Sequence, residues 1–127
     1  LQITINRSQF GQVIMNLLSN AADAVKERES TERSMNRDFT GIVHVSAFVS
    51  VNKDFELIVE DNGPGIPEEI RQRILEPFYT TKAVGKGTGL GMPIVMRILE
   101  EHQMVLSIET SDALGGARFR VQQSAND

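Results

Sequence analysis

Apolar residues recur along the chain with two periods, and these divide it into segments. Leu1, Ile3 and Ile5 alternate with polar neighbours, the period of a short strand. Ser8 then stands where an N-cap would, ahead of a pattern running from about Gln9 to Lys26. Phe10, Val13, Ile14, Leu17, Leu18, Ala21 and Val25 are spaced there for one buried helix face. From Lys26 to Thr40 the chain is charged and without period, which predicts an exposed connection. Between Gly41 and Val51 the valines at 43, 45, 49 and 51, with Ala47, alternate against His44, Ser46 and Ser50, predicting a strand with one buried face. A second strand runs from Phe55 to Glu60. Its inward set of Phe55, Leu57 and Val59 continues by parity to Asp61, which puts a carboxylate on the covered face. Pro67 suits the first turn of a helix through Leu75 with Ile70 and Ile74 on one side, and Pro93 that of a helix from Met92 to Glu101. Met104–Thr110 and Ala117–Gln122, joined through Leu114-Gly115-Gly116, read as a hairpin. The sum is an α/β (α+β) two-layer sandwich, a mixed β-sheet covered on one face by about three helices.

Composition narrows the class without changing the fold. The 127 residues fit a single domain, 1–127, with a modest core. The net charge of −4 carries no dense Lys/Arg stripe, so no nucleic-acid partner is expected. With no cysteine there is neither a disulfide framework nor thiolate chemistry. No apolar run approaches the roughly 18–20 residues that span a bilayer, and no membrane contact by this domain is expected. The chain opens at Leu1 with no initiator Met, and the expectation is a piece of a longer protein.

The candidate chemistry lies in two glycine-rich segments and one helix. Gly87-Thr88-Gly89-Leu90-Gly91 opens a helix, offering free backbone N–H groups and a positive dipole end to a phosphate. It is neither a Rossmann fingerprint nor a P-loop, and alone it also reads as a flexible loop before a cap. Asp61 opens the second segment, Asp61-Asn62-Gly63-Pro64-Gly65-Ile66. A buried carboxylate needs donors, and the exocyclic amine of adenine is one, whereas guanine presents a carbonyl there. The same Asp61 also reads as the cap of the turn at Asn62-Gly63. Asn16, Asn20 and Asp23 border the apolar face of the first helix, and neutral amide oxygens can ligate a hard cation such as Mg²⁺; they equally describe a solvated edge. Thr80-Thr81-Lys82 and Lys86 put cations beside the glycine loop. His44 and His102 are lone histidines, and no cluster suggests zinc.

The order of these pieces is more specific than any one of them. Asn-x3-Asn-Ala-x-Asp-Ala, Asp-x-Gly-x-Gly-Ile, Pro-Phe-x-Thr-Thr-Lys, Gly-x-Gly-Thr-Gly-Leu-Gly and Gly-Gly-x-x-Phe follow one another over nearly the whole chain. This series closely resembles the catalytic ATP-binding domain of bacterial sensor histidine kinases, in the superfamily of gyrase, heat-shock chaperone and mismatch-repair ATPases. Phe78-Tyr79-Thr80-Thr81-Lys82 and Gly91-Met92-Pro93-Ile94-Val95 look most like its nitrogen-regulatory and dicarboxylate-sensing branch. The resemblance implies that Asn20, helped by Asn16, ligates Mg²⁺, and that Asp61 binds the adenine amine. It implies a nucleotide site of Asn20, Asp23, Asp61, Gly63, Gly65 and Ile66, closed by a mobile ATP lid from Tyr79 to Gly91. Tyr79, Thr80, Thr81, Lys82, Lys86, Gly87, Thr88, Gly89, Leu90, Gly91 and Met92 belong to its ATP contacts, and Lys82 joins Asn16 and Asn20 as a catalytic residue.

The implied partners are ATP, a histidine-bearing dimerisation domain of the same protein and the receiver domain of a response regulator. The implied place is the cytoplasm, with a parent that is soluble or anchored in the inner membrane. The rival of the same fold is an anti-sigma-type serine kinase. Two positions depart from the kinase pattern: Asp23-Ala24 stand where a basic and an aromatic residue are common, and Arg118 where Thr or Ser is common. A third separates kinase from ATPase. The superfamily's ATPases carry a Glu four residues before the metal Asn; here Asn16 stands there, and an amide cannot accept a proton at neutral pH.

Overall fold

The computed structural model describes residues 6–49, 51, 54–75 and 91–123 of the chain. Helix α1 spans Arg7–Ser34, followed by strands β1 (Val43–Val49) and β2 (Phe55–Asp61). Two short 3-10 turns, Glu68–Ile70 and Arg73–Leu75, precede helix α2 (Gly91–Glu101) and the hairpin of β3 (Met104–Thr110) and β4 (Ala117–Gln123). The strands form one sheet in the order β1-β2-β4-β3. Both helices lie against one face, and the core between the layers joins Phe10, Val13, Leu17 and Ala21 of α1, Val95, Ile98 and Leu99 of α2, and Leu57, Val59, Phe119 and Val121 of the sheet. This is the two-layer sandwich expected from the sequence.

Several details differ, each for a physical reason. Every described strand pairing is antiparallel, where a mixed sheet was expected. The crossover through α2 does return β3 parallel to β2, but β4 folds back and inserts between them, so the parallel strands are not neighbours. The segment from Pro67 to Leu75 makes two 3-10 turns rather than a helix. Helix α1 starts one residue after Asn6, whose side chain caps it by accepting from Gln9 N–H at 3.0 Å; Ser8, the expected cap, lies inside the first turn. The strand expected at Leu1–Ile5 lies outside the described residues.

Helix α1 also continues to Ser34, through residues expected to form a connection. Beyond Val25 it has left the core, so no apolar period marks it. Ion pairs one turn apart support it instead, Arg28–Glu32 at 3.5 Å and Arg33–Glu29 at 3.7 Å. Strand β1 has no well-buried face: Val43, Val45 and Val49 are 37%, 43% and 53% exposed. Among the described strands it is the edge on the side away from β4, touched by α1 but not buried beneath it, and its valines follow the strand period without being buried.

Candidate nucleotide-binding site

Asp61 ends β2 on the helix-facing side, as its parity with Leu57 and Val59 requires, and is 1% exposed. Its Oδ1 accepts from Gly63 N–H at 2.8 Å and from Ala117 N–H at 3.3 Å. Burial pushes the carboxyl above the ordinary carboxylate range, and the two backbone N–H groups offset part of that rise. The bond to Gly63 is an Asx turn, so the capping role weighed in the sequence is present. It occupies one carboxylate oxygen. Oδ2 accepts no hydrogen bond from the described residues.

Three elements converge on this carboxylate, and two glycines let them approach. Gly116, in the β3–β4 turn, donates from N–H to the Asp61 carbonyl at 3.1 Å. A Cβ at 116 would collide with the Asp61 carbonyl and with Oδ1, so the turn can lie here only without a side chain. Gly63 packs on α1 in the same way: a Cβ there would stand 2.8 Å from the Ala24 Cβ and 2.9 Å from the Ala24 carbonyl oxygen. Ala24 is one turn beyond Asn20 and two beyond Asn16, so the helix face bearing the paired amides runs up to the Asp61 turn. Asn16, Asn20 and Asp23 are half-buried along that face.

The remaining sites expected from sequence divide into two groups. Gly65 and Ile66 follow directly on the turn, Gly65 at φ +81° and Ile66 packed against the core. Gly91 opens α2, and Met92 is buried in the core. Tyr79, Thr80, Thr81, Lys82, Lys86, Gly87, Thr88, Gly89 and Leu90 lie outside the described residues. No helix among the described residues is long and apolar enough to cross a membrane.

Several supporting side chains escaped the sequence reading. Asn62 accepts from Ile42 N–H and donates to the Thr40 carbonyl, each at 2.8 Å, clipping the strand end to the approach to β1. Arg71 uses three donors: Nε to the Ile66 carbonyl at 3.0 Å, Nη1 to the Ile108 carbonyl at 3.3 Å and Nη2 to Thr110 Oγ1 at 2.9 Å. Ser111, 1% exposed, donates to Glu60 Oε1 at 2.7 Å and accepts from Leu114 N–H at 3.0 Å, fixing the turn that carries Gly116. Arg71 and Ser111 lie outside the glycine-rich segments, and Asn62, inside one, was read there only as part of a turn. Arg28, whose contacts are described below, fell in the stretch read as a connection.

At the end of a central strand, a buried carboxylate is thus met by the helix that carries the paired asparagines and by a Gly-Gly turn. Residues 5–126 match the model of the histidine kinase-, DNA gyrase B- and HSP90-like ATPases. The chain belongs to that family. Nitrogen regulation protein NtrY of Azorhizobium caulinodans is 40% identical over 120 residues, covering 94% of this chain and 14% of NtrY. Among solved structures, the mycobacterial sensor histidine kinase MprB superposes with a TM-score of 0.75 at 25% identity, over 96% of this chain and 74% of MprB. Full-length ShkA in complex with AMPPNP gives 0.69 at 25% identity, over 91% of this chain and 21% of ShkA. This ATPase-family domain is thus similar to the histidine-kinase members, and the chain spans a small part of the full-length relatives.

Proposed function

We propose that the domain binds ATP with Mg²⁺ and donates the γ-phosphoryl group to a histidine on a dimerisation domain, from which it passes to the receiver domain of a response regulator. The observation that carries this reading is the buried Asp61 carboxylate, with Oδ1 occupied by backbone and Oδ2 facing no described donor. Adenine offers an N–H at its exocyclic amine; a guanine carbonyl at that place would be repelled by the same oxygen. The AMPPNP bound by ShkA supports a nucleotide of this class.

Asn16 and Asn20 would hold the metal. No group of three or more His, Cys, Asp or Glu side chains suited to a metal occurs among the described residues. Neutral amide oxygens one helix turn apart fit a hard cation that keeps its waters and leans on phosphate oxygens for the rest of its shell. Bound there, Mg²⁺ would neutralise charge developing on the transferring phosphoryl group. The chain's own part is positioning: Asp61 fixes the base, and Lys82 would balance charge at the terminal phosphate. Asn16 provides no base for water, so the phosphoryl group awaits a nucleophile brought from elsewhere.

Two measurements test the proposal. In calorimetric titration with ATP, Asp61→Asn should lose about ten- to a hundredfold in affinity, the scale of a hydrogen bond to a charged group. Unchanged affinity would take Asp61 out of the site. Labelled ATP and the domain, mixed with a separately produced histidine-bearing dimerisation domain, should label that histidine; labelling of an anti-anti-sigma serine instead would replace the kinase class.

A further inference from the structure

The sequence places Arg28 at a four-residue spacing from Asn16, Asn20 and Ala24, at the far end of one ridge of α1. Ala24 touches Gly63, and Arg28, one turn on, reaches the next peptide group of the same turn. Its Nη1 donates to the Asn62 carbonyl at 2.9 Å. The guanidinium carbon lies 4.8 Å from the centre of the Phe39 ring, and Nε stands 3.5 Å from Glu32 Oε1. The Asn62 carbonyl and the Gly63 N–H are two ends of one planar peptide unit. That N–H is the donor which holds Asp61 Oδ1 at 2.8 Å. The peptide is therefore gripped at its oxygen by a cation and at its nitrogen by the carboxylate. A cation on the carbonyl fixes the plane and polarises the N–H, strengthening the bond on its other side.

We propose that Arg28 is a positioning residue for nucleotide selection: through the Asn62–Gly63 peptide it holds Asp61 Oδ1, so that Oδ2 stays aimed at the base. The inference deepens the proposed function and rests on Asp61 meeting the adenine amine. Phe39 and Glu32 hold the guanidinium from its other sides, and the Asn62 side chain, tied to Thr40 and Ile42, anchors the far end of the turn. The region joining α1 to β1 thereby sets the angle of a carboxylate that it never touches.

The test compares ATP with purine riboside triphosphate, which has hydrogen in place of the amine, by calorimetry on the chain and its variants. The unsubstituted chain should prefer ATP by about tenfold or more. Arg28→Met keeps the apolar stem against Phe39 and removes the donor. It should weaken ATP binding roughly three- to tenfold and leave purine riboside triphosphate binding within about twofold, on the same scale. Arg28→Lys, a cation without the planar fork, should restore part of the preference. Arg33→Met, which removes an exposed cation paired with Glu29 and outside the Asp61 turn, should leave the preference unchanged. Equal losses for both nucleotides, or no loss for either, would overturn the inference while the Asp61 reading stands. A parent chain that binds the two alike would remove the Asp61 reading and the inference with it. Where thermal melting shows Arg28→Met unfolded at the assay temperature, Arg28→Lys and Arg28→Gln carry the same comparison.

Discussion

Asp61 is costly to the free domain because of where it lies. The folded state raises its pKa above the ordinary 3.8, chiefly through burial. Over the window between 3.8 and the raised value, the folded protein keeps a proton that the unfolded chain has released. The stability contributed by this group is therefore greatest in acid, declines as pH rises through the window and is level above it. Asp61→Asn removes the titration while its side-chain oxygen can still accept from Gly63 and Ala117. The melting temperature of the variant minus that of the parent should accordingly increase from about pH 4 to pH 8. A flat difference would mean that the carboxyl titrates alike in both states. Two glycines give predictions of opposite sign. Gly116→Ala drives a methyl into the Asp61 carbonyl and should destabilise by about 1–3 kcal/mol, the usual cost of overpacking. Gly11→Ala, inside α1 with open space around its Cβ, should stabilise by roughly 0.5–1 kcal/mol. Denaturant melts read both.

Among the elements, the loop after the Asp61 turn is held by Arg71, which ties Ile66 to the outer edge of β3 with three donors. Removing a charged donor from those acceptors in Arg71→Ala should cost about 1–3 kcal/mol. It should appear as a lower denaturant midpoint with an unchanged slope; an unchanged midpoint would show the clamp to be idle. The elements also mark what the sequence could convey. Pro93 marked the start of α2 and Leu114-Gly115-Gly116 the hairpin of β3 and β4, while periodicity located β2 and the core face of α1, each of which buries a stripe, and parity along β2 delivered Asp61 to the covered side. Periodicity failed where burial stops. Residues 26–34 are helical on ion pairs and propensity, without any stripe, so Arg28 went unnoticed. Strand β1 carries the period of a buried strand at an edge where its residues stay exposed. Asn6 and Ser8 are both good caps, and two residues of offset separate them. Arg71 reaches the Ile108 carbonyl and the Thr110 hydroxyl, and Ser111 the Glu60 carboxylate, partners far away in sequence for which a linear pattern holds no signal.

For the molecule as a whole, the likeness to NtrY, MprB and ShkA places this chain with the histidine-kinase members of its ATPase family. Phosphoryl transfer asks for little covalent chemistry from the protein and much positioning. With an amide at Asn16 where a general base would act, the domain by itself should turn ATP over far more slowly than ~1 s⁻¹, the low end of ordinary enzyme turnover. Phosphate release from the chain with ATP and Mg²⁺ measures this, and brisk multiple turnover would place it nearer the gyrase and chaperone members. The proposed division of labour is then visible in the architecture: the sandwich recognises the base, and the acceptor comes from outside.

Strand β1 brings a practical consequence for anyone handling the domain in concentrated form. Its seven residues, Val-His-Val-Ser-Ala-Phe-Val, contain no Lys, Arg, Asp, Glu or Pro, and β2 is its sole strand neighbour among the described residues. Natural edges usually carry lysine, proline or a bulge to discourage uninvited pairing. Here the safeguard is missing, and the tendency to precipitate should respond more to mild chaotropes than to added sodium chloride, because there is almost no charge along that border to screen.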